Sequence, residues 1–224
     1  MDRKEVCADA IRQRILRLDI APGAAIDETE TSTEFGLSRT PVREVFQMLI
    51  GEGYLTREAN RGTTVSPMDI KTMRSFFQTA PLVYATVARL AAENGSLQGI
   101  DRLKAIQKEF RKAVKANDAS GMSISNHRFH SMLGDMSGNP YLRPSLECLL
   151  IDHTRMSHRF YRPRKSSSKS RVTEAARHHD QMIDAIEARD SDLIIEVTLQ
   201  HWDLSRNEIE KYVIADPLPL SVAG

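Results

Sequence analysis

From Pro67 to about residue 213 the chain carries no strand signal, and this constrains its fold more than any other feature. The apolar pattern predicts six helices there, near 68–94, 98–116, 119–136, 140–161, 172–188 and 190–213. Asn117-Asp118, Gly138-Asn139-Pro140 and Asp190 mark the breaks, being residues that favour turns and helix caps. Residues 162–171, RPRKSSSKSR, are polar, basic and Ser-rich and read as a mobile loop. Residues 216–224, with two prolines, read as a flexible tail. Aromatic residues are only 6% of the chain, and Leu, Ile, Ala and Met supply most of the apolar mass. That mix suits helix packing better than a sheet core, so the expected fold class is mainly α.

The first 66 residues have a different grammar. Ala8, Ile11, Ile15 and Leu18 stripe one helix over 3–18, which Pro22-Gly23 ends with a turn. Asp27 and Glu28 open a short second helix that stops at Gly36. Ser38 stands at the N-cap of a third helix, with Pro41 in its first turn where a missing N–H costs nothing. Val42, Val45, Phe46 and Leu49 form its buried face; Arg39, Arg43 and Gln47 form the other. Two short strands follow, Tyr54-Leu55-Thr56 and Thr63-Thr64-Val65, joined by a polar turn. The division is thus a winged helix-turn-helix over 1–66, an all-helical domain over 67–215, and the tail.

Three helices and a two-stranded ribbon suit DNA, with the third helix in the major groove and the ribbon tip along the backbone or minor groove. Bulk charge does not argue for it. Residues 1–70 hold nine Lys/Arg against twelve Asp/Glu, a net −3 in a chain of net +1. The case rests on placement. Arg39 and Arg43 share a face near a helix N-terminus, where amides and the positive dipole end suit phosphate. An arginine offers a fork to guanine, and Thr40 a hydroxyl for backbone contact. Arg61 at the wing tip is a second anchor, with Gly62 allowing close approach.

The run GLSRTPVREVFQMLIGEGYLTREANRGTTV resembles the GntR family of bacterial regulators. Pro22-Gly23, Ser38 to Glu44, Leu49, Glu52-Gly53 and Asn60-Arg61-Gly62 carry the likeness over roughly residues 8–66. It implies operator contacts from Ser38, Arg39, Thr40 and Arg43, with Arg61 and Gly62 at the wing. One departure is in the second helix, ETETSTEF, which has Thr31 and Ser32 where the family usually has Leu and Ala. The acidic cluster Asp27, Glu28 and Glu30 beside it stands to repel phosphate.

Residues 70–213 resemble the FCD effector domain of the FadR subgroup, through RLAAEN (89–94), NHRFHSMLGDMSGNPYL (126–142), HDQMIDAIEARD (179–190) and His201. Tyr84 stands where many members have a Glu, so no acidic ligand contact carries over there. Many such domains bind a divalent metal through an Asp and three His; the matching positions are Asn126, His130, His179 and His201. The residue pattern agrees on placement. Asn126 and His130 are four apart and share a helix face. His179 lies on the stripe of Val172, Ala176, Ile183 and Ile186, and His201 on that of Ile194, Val197 and Leu204, so all three histidines point inward. Three imidazoles suit Zn or Ni and leave positions open for an effector carboxylate. The neutral Asn126 amide weakens such a site; a metal-free pocket that hydrogen-bonds an organic acid directly is the alternative. His127 and His178 fall on other faces and read as surface. His153, Arg155, His158 and Arg159 read as a solvated helix face, from which Arg155 or Arg159 would reach an anionic effector. Met122, Met132, Met136 and Met182 read as core or pocket wall.

The reading is a DNA-binding transcription regulator and not an enzyme. A homodimer would bind a near-palindromic double-stranded operator under control of a small effector, expected to be a carboxylate. Two alternatives are a regulator whose effector is the metal ion itself and a metal-dependent helical-bundle enzyme. The enzyme lacks a nucleophile motif and a carboxylate base near the histidines, and leaves SRTPVRE unexplained. The charged start without an apolar stretch, and two isolated cysteines, Cys7 and Cys148, point to a reduced cytoplasmic setting without membrane contact.

Overall fold

A computed structural model describes residues 2–58, 62–161 and 166–213. Among them are nine helices and one ribbon, in the order α1 (Arg3–Leu16), α2 (Glu28–Phe35), α3 (Arg39–Glu52), β1 (Leu55–Glu58), β2 (Gly62–Val65), α4 (Ile70–Asn94), α5 (Leu97–Ala116), α6 (Ala119–Ser137), α7 (Leu142–Phe160), α8 (Ser166–Ala188) and α9 (Ser191–Val213). The fold is mainly α, as expected, with a winged helix-turn-helix ahead of a helical bundle.

The breaks work through local chemistry. Asn117 adopts the left-handed conformation (φ 52°) that ends α5, and the Asp118 carboxylate then accepts from Gly121 N at 2.9 Å to start α6. Asn139 Oδ1 accepts from Tyr141 N and Leu142 N ahead of α7, and Asp190 Oδ1 from Leu193 N ahead of α9. The Asp118, Asn139 and Asp190 side chains thus satisfy amides that a helix start leaves without partners.

β1 and β2 pair antiparallel with Leu55 opposite Val65 and Glu58 opposite Gly62. The extended stretch before α2 adds to the ribbon: Gly23 N and Ile26 N donate to Val65 O and Thr63 O, and Val65 N to Ala24 O. One edge of the wing is thereby covered. Beneath it, Ala8, Ile11 and Ile15 of α1 pack on Val42, Val45, Phe46 and Leu49 of α3. Ile151, from α7 far along the chain, completes this N-terminal core.

In the bundle, α4 is the central rod, packed against α6, α7, α8 and α9. Its buried face carries Ala80, Ala88, Ala91 and Ala92, small enough to let neighbouring helices approach closely, with Phe76 and Tyr84 filling the gaps. Met136 and Met182 are in this core, with Met132 packed against it; Met122 joins a smaller cluster with Phe110, Tyr161 and Val172. Among the described residues no helix is long and apolar enough to cross a membrane. Cys7 and Cys148 are free thiols.

One expectation is corrected. The loop read over 162–171 is helical from Ser166, where α8 begins; residues 162–165 and the tail lie outside the described residues. Val172, Ala175 and Ala176 anchor α8 against Phe110 and Tyr161. Once those turns are fixed, extending the helix backwards through polar residues adds one hydrogen bond per residue, which composition does not reveal.

Candidate functional site

The face that the sequence reading assigns to DNA is the outer side of α3. Ser38, Arg39, Thr40, Arg43 and Gln47 are all exposed there. Ser38 has the extended backbone of an N-cap (φ −74°, ψ 169°), at the position the sequence indicates, but its hydroxyl makes no capping hydrogen bond. Arg39 Nη2 donates to Thr29 Oγ1 at 3.3 Å, and Arg43 Nε donates to Glu28 Oε2 at 2.7 Å. The acidic cluster is therefore partly accounted for. Asp27 caps α2 through Thr29 N and Glu30 N, which holds its carboxyl below the usual range, while Glu28 is paired with Arg43. Gly62 opens β2 at φ 73°, a left-handed conformation that disfavours any side chain even though open space surrounds it. Arg61 lies outside the described residues.

The departures in α2 have a visible consequence. Thr31 is buried and its hydroxyl donates back to Asp27 O at 2.8 Å. The Ser32 hydroxyl is buried without a partner. Such a group lowers stability rather than adding to it.

The second site lies inside the bundle. His130 on α6, His179 on α8 and His201 on α9 are buried, and their ring nitrogens come within 4.8 Å of one another. Asn126, one turn before His130, reaches the same point. Burial holds all three histidines neutral, aided by repulsion from neighbouring histidines and, at His179, from Arg111: His179 is pushed down to about 3, and His130 and His201 well below their ordinary value. Neutral rings keep their lone pairs for a ligand.

Gln107 on α5 sets which nitrogen of His179 carries the proton. Gln107 Nε2 donates to Ala176 O at 2.8 Å and to Asp180 Oδ1 at 2.9 Å. Its oxygen is left to accept, 3.0 Å from His179 Nδ1. His179 is thus protonated on Nδ1 and offers the Nε2 lone pair on the side of Asn126. Asn126 Oδ1 is placed 3.2 Å from that Nε2. Two acceptors repel at this distance, so the amide turns its NH2 to His179 when nothing else is bound. His130 Nε2 and His201 Nδ1 are buried without partners. The residues present fit a divalent ion: three neutral imidazoles converge, and two nitrogens are unsatisfied.

Other residues were misjudged from sequence. His153 on α7, read as part of a solvated face, is buried beside the cluster, 5.9 Å from the His130 ring. Tyr84, whose hydroxyl burial keeps protonated, shares a hydrogen bond with His153 Nδ1 at 3.0 Å and stacks on His130. The stripe of Leu146, Leu150 and His153 at helical spacing was the available signal. His127 and His178, read as surface, are also buried. His127 Nδ1 donates to Thr154 Oγ1 at 2.8 Å, because that hydroxyl itself donates to Leu150 O; His178 Nε2 lies 3.2 Å from Glu174. Both α6 and α8 are enclosed by several helices, leaving few solvent faces.

Arg155 is not a solvated residue either. It is 1% exposed, pairs with Asp152, and donates through Nη1 to Ser66 O at 2.7 Å. Two residues from His153, it leaves the opposite side of α7, away from the histidines and towards the wing. The side chain of Arg159 lies outside the described residues.

Comparisons with known proteins agree with this architecture. Residues 3–65 match the family described as bacterial regulatory proteins, gntR family, and residues 82–204 match the FCD domain. The chain belongs to the FCD-domain regulators of the GntR family. This regulator is 26% identical over 193 residues to the HTH-type transcriptional repressor RspR of Escherichia coli, covering 84% of this chain and 82% of that one. It is 23% identical over 207 residues to the gluconate operon transcriptional repressor of Bacillus subtilis, covering 89% and 82%. Among solved structures, E. coli McbR/YncC superposes with a TM-score of 0.79 at 16% identity, covering 96% of this chain and all of that one. A Rhodococcus GntR regulator gives 0.68 at 18% identity, over 94% and 99%. The protein is a DNA-binding transcriptional regulator, and with that the metal-dependent enzyme falls away.

Proposed function

We propose that this regulator controls a near-palindromic operator as a homodimer, and that a small carboxylate-bearing metabolite at the His130, His179 and His201 pocket sets its DNA affinity. Residues 1–66 act as the reading head and 67–215 as the sensor, in the cytoplasm. The observation that carries the effector site is the pair of buried, unpartnered nitrogens on His130 and His201 beside the His179 lone pair. Leaving such groups unsatisfied costs about 1–3 kcal/mol each. A bound ligand removes that cost.

His130, His179 and His201 would hold a Zn or Ni ion, with Asn126 as a weaker fourth group. When bound, the ion supplies a Lewis acid that grips an effector carboxylate. The chain's own residues do the rest. Gln107 keeps the His179 lone pair aimed inward, Tyr84 and His153 wall the pocket, and the surrounding core excludes water. α7 supports a route to the DNA-binding head, since it carries His153 at the pocket, Ile151 in the N-terminal core and Arg155 on Ser66. The effector's leverage is the difference in its affinity for the two placements of the heads.

The direct test is a thermal-shift screen of small organic acids, each with and without Zn or Ni. A ligand at about 100 times its Kd stabilises by about 2.7 kcal/mol. That should raise Tm by roughly 5–10 °C in a chain of this size. The same acid should change operator affinity. If metal alone changes it, the ion is the effector; if neither acids nor metals shift Tm or DNA binding, the sensor reading fails.

Asn126→Asp should raise metal affinity by more than the ~10-fold typical of an outer-shell change, because a carboxylate replaces a neutral amide. The metal-free variant should also lose about 1–3 kcal/mol, because His179 Nε2 loses its donor. Metal titration followed by calorimetry reads both; an unchanged affinity removes Asn126 from the site.

Arg39, Thr40, Arg43, Ser38, Arg61 and Gly62 are the proposed DNA contacts. Arg43→Ala should weaken operator binding at least about fivefold, as expected for a residue that reads a base. Binding titrations check this; unchanged affinity and salt slope would remove Arg43 from the interface.

A further inference from the structure

Arg43 is the more exposed member of its ion pair, with 63% of its side chain accessible against 24% for Glu28. Its Nε–H is committed to Glu28 Oε2 at 2.7 Å. A guanidinium has five N–H donors, so four remain, on Nη1 and Nη2. No other partner for Arg43 is found among the described residues. The outer edge of the group, one N–H from each terminal nitrogen, is the fork that matches guanine O6 and N7. The turn that carries Glu28 is itself pinned, because Asp27 accepts from Thr29 N and Glu30 N. By contrast, Arg39 touches this turn only through a 3.3 Å bond to the neutral Thr29 hydroxyl.

We propose that Glu28 is a specificity-determining residue of this regulator: by holding Arg43 at Nε it aims the two terminal nitrogens at a base edge instead of at phosphate. The inference rests on the reading of Arg43 as a DNA-contacting residue. An exposed arginine without this anchor swings through many rotamers, and its nearest strong partner on a duplex is a phosphate oxygen. Glu28 opposes that in two ways. It fixes the guanidinium, and its own charge disfavours close approach of the backbone. The acidic patch beside the recognition helix thus lowers binding to every duplex and binding to the wrong duplex most.

The test compares full-length wild type, Glu28→Ala, Glu28→Gln, Arg43→Ala and the double variant Glu28→Ala/Arg43→Ala. The probes are a duplex selected by the wild-type protein from a randomised pool and a scrambled duplex of equal length and composition. Affinities are measured at several salt concentrations. Glu28→Ala should cut the ratio of selected to scrambled affinity about tenfold, the scale of one arginine–guanine contact. Its affinity for the scrambled duplex should stay level or rise. Glu28→Gln keeps an oxygen for Nε and should hold the ratio within about threefold of wild type. Glu28→Ala should change nothing further in the ratio when Arg43 is already Ala. Equal rises on both duplexes in Glu28→Ala would make Glu28 a charge brake only and overturn the proposal. An unchanged ratio in Glu28→Ala, while Arg43→Ala loses it, overturns the proposal and leaves the Arg43 reading standing. An unchanged ratio in Arg43→Ala overturns both.

Discussion

Acidification from pH 7 to pH 5 is expected to unfold this regulator when no metal is bound. The cause is the set of histidines enclosed by the bundle. Burial pushes His179 down to about 3 and His153 down to about 4, and holds His130 and His201 well below their ordinary value. In the unfolded chain each titrates near ~6.5. Below that pH the unfolded state takes up protons that the folded state refuses. Stability is therefore complete above about pH 6.5 and falls as the pH drops towards the folded values. Each histidine contributes a slope of up to about 1.4 kcal/mol per pH unit, so four acting together reach about 5 kcal/mol per unit. A domain holds only about 5–15 kcal/mol in total. Circular dichroism and Tm followed from pH 7.5 to pH 4.5 at fixed ionic strength should show a steep loss that begins near pH 6. A flat Tm down to pH 5 would mean that these rings reach water more readily than their burial implies.

Arg155→Ala is expected to destabilise the protein by about 3 kcal/mol, the lower end of the range for breaking a buried ion pair. Arg155 is 1% exposed, while the Asp152 side chain keeps 17% of its surface, so some solvent relief remains for the carboxylate. Burial already pushes the Asp152 carboxyl up, and the Arg155 charge works against that rise. Without Arg155 the Ser66 carbonyl also loses a donor at 2.7 Å. A second consequence is specific to a regulator. Ser66 follows the last residue of β2 and precedes α4, so the Arg155 bond ties α7 to the link between reading head and bundle. The variant should bind its operator with less response to effector than wild type. Urea unfolding reads the first effect, and operator titration with and without effector reads the second. Arg155→Met, which keeps the side-chain bulk, separates lost packing from the lost charge. A loss under about 1 kcal/mol in both variants would show that the pair contributes little.

Much of the fold was legible because its signals are short-ranged. Asn117, Asp118, Asn139 and Asp190 were read as breaks, and each makes the cap or left-handed turn its chemistry favours. Ser38 was read at the right position, yet its hydroxyl is not the capping group, since a backbone conformation can end a helix without the side-chain bond. The start of α8 was hidden, because Ser166 to Arg171 look like loop until the packing of Val172 and Ala176 is known. His153, His127 and His178 were assigned to water for the same reason. Whether a polar residue is buried depends on how many helices surround its own, and α6, α7 and α8 turned out to be enclosed.

The sequence by itself determined the order of helices and strands, the winged reading head, and the inward direction of His130, His179 and His201 on their own helices. These are properties of hydrogen-bonding and periodicity within a few turns of one chain segment. Only the tertiary structure decided that the three histidines converge within 4.8 Å, that Gln107 fixes the His179 proton, that Glu28 holds Arg43, and that Arg155 reaches Ser66. Those partners are 15 to 89 residues apart. Where they meet is set by the crossing of packed helices, and the pattern of any single helix does not contain that crossing.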